Sequence, residues 1–262
     1  MSYETILFEI ESGIARLTLN RPDKLNSFNT QMHGEVREAL AGIPGSAARV
    51  LVLTGAGRGF CAGQDLGDRA VAPGAQGVDL GESLENRYNP LVLTLHNLPM
   101  PVIGAINGVA AGAGANIALA CDIVIAARSA NFVQAFSKLG LIPDSGGTWF
   151  LPRLVGDARA MGLALLGNKL PAEQAAAWGL IWQCVDDAEL AGTVDALARQ
   201  FAVAPTRGLA ATKSALRRSW QHSFKEQLEL ERDMQRELGR SGDYAEGVAA
   251  FTEKRAPRFT GR

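Results

Sequence analysis

One carboxylate in this chain stands in an unusual setting. In LGLIPDSGGTW (Leu139–Trp149) an apolar run ends at Pro143, and Asp144 then precedes Ser145, Gly146 and Gly147. Its nearest cations in sequence are Lys138 and Arg153. A lone carboxylate among apolar neighbours can take a proton from one carbon and return it to another. An aspartate after proline also suits a solvated turn, and the local sequence by itself favours the turn. Two glycine-rich stretches offer different chemistry. They are Gly59–Leu66 (GFCAGQDL) and Gly108–Asn116 (GVAAGAGAN). Small residues let a ligand approach the backbone, and unpaired N–H groups at a helix start favour an anion. Two such groups converging on one oxygen make an oxyanion hole, in which each donor removes about 3–4 kcal/mol of barrier. Close helix–strand packing explains the same glycines equally well.

Other chemistries fail on inspection. Gly55-Ala56-Gly57-Arg58-Gly59-Phe60 follows an apolar run, but Phe60 stands where GxGxxG needs its third glycine. There is no P-loop GxxxxGK[ST], no HExxH and no GxSxG elbow. His33, His96 and His222 are isolated, so surface or satisfied core roles are expected and no metal site is. Cys61, Cys121 and Cys184 form no CxxC and read as reduced, mostly buried thiols of a cytoplasmic protein. The N-terminus lacks the basic start and apolar core of a secretory signal. The apolar stretches are too broken to cross a membrane. A net charge of −1 gives no footprint for nucleic acid, and the basic run Lys213–Arg218 reads as a solvated helix face.

The elements that must position these residues follow from hydrophobic period. The chain has 262 residues, enough to bury a large core. Ile6, Phe8 and Ile10 alternate, a turn follows at Glu11–Gly13, and Ile14–Leu19 resumes, which predicts a hairpin. A helix is expected from near Asn29 to Leu40. Val50–Thr54, Pro101–Ile106 and Asp122–Ala126 are short apolar runs typical of strands buried on both faces. Helices are expected near Leu84–Leu95 and Ala115–Ala120, the second after a Gly/Ala-rich turn at Gly108–Gly114. Pro171 reads as the first turn of a further helix. Strand–strand–helix units of this kind suggest an α/β spiral. After Pro205 the strands stop, and Thr206–Trp220, Phe224–Leu238 and Asp243–Lys254 read as amphipathic helices. A two-part organisation results: a core over 1–205 and a helical region over 206–262. Such a region packs either on its own domain or on another subunit.

RPDKLNSFN (Arg21–Asn29), TGAGRGFCAGQDL (Thr54–Leu66), INGVAAGAGANIALACDIVIA (Ile106–Ala126) and LGLIPDSGGTWFLPRLVG (Leu139–Gly156) resemble the enoyl-CoA hydratase/isomerase family, or crotonase superfamily. The resemblance runs to EGVAAFTEKRAPRF (Glu246–Phe259). It implies a spiral of ββα units with a C-terminal helical trimerisation region, assembled as a trimer or dimer of trimers. It also implies an acyl-CoA thioester substrate, with CoA as part of that substrate and no separate cofactor or metal. By this resemblance the peptide N–H groups of Gln64 and Ala113 form the oxyanion hole. Lys24, Leu25, Ala62, Asp65 and Leu66 line the CoA site, and Lys254 reaches the CoA phosphates. The two glutamates of the family's hydratases are replaced by Asn116 and Phe136, which would line the acyl pocket. Asp144 stands where hydratases commonly have glycine. This frame makes Asp144 the catalytic base of an isomerase, with a pKa raised by burial. The stretches AFSKLGLIPDSGGTW and ARAMGLALLGN (Ala158–Asn168) are similar to the phenylacetate-degradation branch. That branch converts a ring epoxide of phenylacetyl-CoA to an oxepin and moves 3-enoyl double bonds into conjugation. An ordinary enoyl-CoA isomerase or hydratase of fatty-acid oxidation is the alternative. A non-catalytic or RNA-binding relative is disfavoured by the near-zero charge and the complete thioester cradle.

Overall fold

The computed structural model describes residues 3–65, 67 and 79–262. Leu66, expected in the CoA site, lies outside the described residues. The opening alternation forms the hairpin of β1 (Ile6–Glu11) and β2 (Ile14–Leu19), paired antiparallel. A 3₁₀ turn covers Pro22–Lys24, and Asn29 then caps α1 (Thr30–Ala41) by accepting the Met32 amide. β3 (Val50–Gly55) and β4 (Gly59–Cys61) follow. The helix expected over Leu84–Leu95 lies within a longer continuous helical stretch: α2 (Leu80–Ser83) runs through a π-helical turn at Leu84–Tyr88 into α3 (Asn89–Asn97).

The unit repeats as β5 (Val102–Ile106), β6 (Val109–Ala111) and α4 (Ala113–Leu119). It repeats again as β7 (Ile123–Ala127), β8 (Asn131–Val133), a 3₁₀ turn at Ala135–Leu139, α5 (Gly147–Val155) and α6 (Asp157–Leu166). β9 (Lys169–Pro171), α7 (Ala172–Ala177), β10 (Gln183–Val185) and α8 (Leu190–Ala202) close the core. The tail is α9 (Thr206–Arg218), α10 (Phe224–Leu238) and α11 (Gly242–Glu253).

Two sheets result because the two strands of each unit go to different layers. β3, β5 and β7 join a six-stranded sheet in the order β1-β2-β3-β5-β7-β10, while β4, β6 and β8 join a second in the order β4-β6-β8-β9. All five residues of β5 are buried, as a strand covered on both faces requires. The Gly108–Gly114 stretch, expected as a plain turn, contains β6. Main-chain pairing to β4 on one side and β8 on the other outweighs its lack of bulky side chains.

The basic run on α9 is also not a purely solvated face. Lys213 Nζ and Arg217 Nη2 meet Asp122 Oδ2 and Oδ1 at 2.8 and 2.6 Å, and Asp122 Oδ2 also accepts the Val102 amide at 2.8 Å. The ion cluster ties α9 to the starts of β5 and β7. Burial draws the Lys213 ammonium below its ordinary value. Arg49 fastens the tail to the core by donating to Thr206 Oγ1 and to the Phe259 and Ala204 carbonyls. Among the described residues no helix is long and apolar enough to cross a membrane.

Candidate active site

Sheet pairing brings the two glycine-rich stretches together. β4 and β6 run parallel with Cys61 opposite Ala110, and β6 and β8 run parallel with Ala111 opposite Val133. Residues 62–65, 112–116 and 134–136 therefore leave the C-terminal ends of three neighbouring strands side by side. The chain approach there is very close. A Cβ on Gly63 would stand 2.9 Å from the Ala111 carbonyl oxygen and 3.3 Å from the Ala113 amide nitrogen. A Cβ on Gly114 would stand 2.3 Å from the Cys61 carbonyl oxygen. Only hydrogen fits at either place, so the glycines that suggested an anion site also serve as spacers.

Gln64 and Ala113 thus occupy adjacent positions. Ala113 opens α4, so its N–H has no carbonyl four residues back to bind. Gln64 follows Gly63, whose φ of 88° turns the chain, and is bridged in parallel to Phe28. The side chain of Gln64 is held at both ends: Tyr88 Oη donates to Oε1 at 3.0 Å, and Nε2 donates to the Asp65 carbonyl at 3.1 Å. The neighbouring Cys61 thiol is fully buried, and burial pushes it up to about 12, which leaves it a neutral packing group.

The Arg21–Asn29 strap lies along the same strand ends. Ala62 N–H donates to the Leu25 carbonyl at 2.9 Å, and Phe28 N–H to the Gly63 carbonyl at 2.7 Å. Lys24 is exposed and Leu25 half-buried beside Gly59. The Asp65 carboxylate is occupied within the protein. It accepts from Arg21 Nη2 at 2.9 Å and from the Gly67 amide at 3.0 Å, and the Arg21 bond holds it below the usual carboxylate range. Asn26, which the sequence reading passed over, organises the strap. It is fully buried, accepts the Arg21 amide, and donates to the Ala56 and Gly59 carbonyls. Lys254 lies on another element, exposed at the end of α11.

Phe136 is buried, and its ring tip is 3.8 Å from where a Cβ on Gly112 would lie, so an apolar wall adjoins the start of α4. Asn116 is 0% exposed. Its Nδ2 donates to the Asp144 main-chain carbonyl at 2.8 Å, and its Oδ1 accepts from Gln134 Nε2 at 2.8 Å. Asn116 is therefore part of the frame beneath the Asp144 turn rather than an open lining. Asp144 is half-buried, less enclosed than the sequence frame suggested. Ser145 Oγ donates to Asp144 Oδ1 at 2.8 Å. Ser145 is itself buried with φ of 51°, a left-handed conformation that costs a non-glycine residue about 1–3 kcal/mol. The aspartate is thus held in the turn at both ends, by its carbonyl and by its carboxylate.

The profile of the family described as "Enoyl-CoA hydratase/isomerase" matches residues 9–262. The chain belongs to the enoyl-CoA hydratase/isomerase family. It is 61% identical, over 99% of each chain, to the 1,2-epoxyphenylacetyl-CoA isomerase of Escherichia coli K12. It is 51% identical over the full length of both chains to a protein of Rhodobacter capsulatus described as a probable enoyl-CoA hydratase. Among solved structures, the enoyl-CoA hydratase of Bacillus anthracis superposes with a TM-score of 0.93 at 32% identity, covering 99% of this chain and 100% of that one. The ββα spiral expected from the sequence is the fold of this family, and the chain is an enzyme of the acyl-CoA isomerase type.

Proposed function

We propose that the protein isomerises ring-derived acyl-CoA thioesters, converting 1,2-epoxyphenylacetyl-CoA to its oxepin and moving 3-enoyl-CoA double bonds into conjugation. The observation that carries this reading is the anchored Asp144 carboxylate. Asp144 is anchored by Ser145 and Asn116, and by the family resemblance Asn116 and Phe136 stand where hydratases carry glutamates. The 61% identity to the Escherichia coli isomerase supports the ring substrate.

In this reading the thioester oxygen lies against the Gln64 and Ala113 N–H groups. Asp144 takes a proton from the carbon beside the thioester. The electrons move onto that oxygen, where the two donors hold the enolate. For a 3-enoyl chain the same carboxyl returns the proton to the fourth carbon, and the double bond ends conjugated. For the ring epoxide the ring carbon–carbon bond opens to the seven-membered oxepin, and the proton returns at a ring carbon. Each path moves one proton and consumes no other reagent. Phe136 keeps water from the enolate. Lys24, Leu25, Ala62, Asp65 and Leu66 border the CoA, with Asp65 acting through Arg21 and the strap. Lys254 reaches the CoA phosphates from its own or a neighbouring subunit.

Residues 206–262 are proposed to form the assembly surface of a trimer or dimer of trimers. Phe224 and Phe251 are 81% and 87% exposed, and Tyr244, Val248, Phe251 and Phe259 line a cavity of about 410 Å³ open on that side. The deciding experiment compares kcat/KM for ring-epoxidised phenylacetyl-CoA and for a straight-chain 3-enoyl-CoA. A preference for the ring epoxide is expected. Turnover of the straight chain alone would assign the protein to fatty-acid oxidation.

A further inference from the structure

We propose that Gln134 and Asn116 form a directional amide relay that sets the position of the Asp144 peptide and hence the aim of its carboxylate. This rests on Asp144 being the acid/base. The direction follows from one atom. The Asp144 carbonyl only accepts, so Asn116 must present Nδ2 to it, at 2.8 Å. That turns Asn116 Oδ1 toward Gln134, which must then present Nε2, also at 2.8 Å. Reversing either amide would set two oxygens or two NH₂ groups face to face. Both side chains are buried, at 0% and 4% exposure, so no solvent relieves an error.

The relay leaves one trace. Gln134 Oε1 is buried without a hydrogen-bond partner, which protein interiors rarely tolerate. Gln134 spends its donor on Asn116 and leaves its own acceptor unpaired. The turn is shaped to receive the relay. The Gly147 amide donates to the same Asp144 carbonyl at 2.8 Å, and a Cβ on Gly147 would stand 2.4 Å from Asn116 Nδ2. The Asn116 amide therefore packs directly on the turn, while the Ser145 hydroxyl grips the carboxylate. Gln134 touches no reacting atom in this scheme and is a positioning residue.

The test uses Gln134→Glu and Gln134→Met, each in the wild-type and Asp144→Asn backgrounds, with kcat, KM, acyl-CoA Kd and Tm measured on 3-enoyl-CoA. Glutamate, in its ionised form, places an acceptor against Asn116 Oδ1 and drives the amide to reverse, whereas the protonated acid still donates there, so its kcat is measured across about pH 6–9 and the loss is expected to grow as the carboxyl ionises. Its kcat is expected to fall about 10–100-fold, the cost of a reacting group misplaced by around an ångström, with KM and Kd within about twofold. Methionine removes the donor without repulsion and is expected to lose several-fold. In the Asp144→Asn background both losses should disappear, because no base remains to be aimed. If the glutamate variant is insoluble, the methionine variant decides alone. Losses of equal factor in both backgrounds, or wild-type kcat in soluble Gln134→Met, overturn the relay. Wild-type kcat in Asp144→Asn itself overturns the acid/base assignment instead, and the relay with it.

Discussion

The Tyr88 hydroxyl donates to Gln64 Oε1 at 3.0 Å from a side chain that is 1% exposed. His33 packs edge-on against the Tyr88 ring at 4.5 Å between centroids, so the hydroxyl has little freedom to move. The bond steadies the residue whose main-chain N–H is proposed to hold the enolate oxygen. Tyr88→Phe should lower kcat several-fold, less than the ~10²–10³ that losing a donor outright costs. It should lower stability by about 1 kcal/mol. Unchanged kcat with lowered Tm would reduce Tyr88 to a packing residue.

Asp144→Asn should fold, because the side chain is close in shape and still accepts from Ser145. Acyl-CoA should still bind. The chemical step should fall roughly 10²–10⁴-fold, the usual share of general acid–base catalysis. Normal kcat with a lowered Tm would return Asp144 to the role of a turn residue.

Hydration of crotonyl-CoA should be negligible beside isomerisation, because Phe136 is apolar and the Asn116 amide is committed to Asp144 and Gln134. Comparable hydration rates would mean that some other group activates water.

The Asp65–Arg21 pair predicts an acid-sensitive strap. Its folded carboxyl is held below the ordinary value. The stabilisation is therefore complete above about pH 4, the unfolded carboxylate's value, and is lost as pH falls through the lower folded one. Asp65→Asn should lower Tm at pH 7, and its difference from wild type should shrink between pH 5 and 3. A constant difference would show that the charge adds nothing.

Sedimentation at micromolar concentration should show a trimer or hexamer, and removing residues 206–262 should cause aggregation through the uncovered apolar faces. A well-behaved full-length monomer would remove the assembly proposal.

Much of this architecture was legible in the sequence. The hairpin and the buried strands follow from period-two alternation and short apolar runs, which depend only on near neighbours. The pairing of Gln64 with Ala113 depends on β4 lying beside β6, and no spacing in the chain states that; only the family resemblance supplied it. Lys213 and Arg217 read as solvated because their partner Asp122 is remote in sequence. Gln134 carried no signal at all, since a buried glutamine is written like an exposed one. Ser145 had a faint one, as a small hydroxyl next in sequence to the Asp144 carboxylate.

The close seam between β4 and α4 bears on how variation in this protein would be read. At Gly63 and Gly114 the space beside the α-carbon is already filled by another stretch of backbone. A survey scored by survival or growth would find these positions as intolerant as Asp144. The failures would nevertheless differ in kind. A residue added at the seam should leave cells with little soluble protein, while a change at Asp144 should leave abundant protein that turns nothing over. Measuring soluble yield beside growth would sort the two, so intolerance at a glycine here is a record of crowding before it is a record of chemistry.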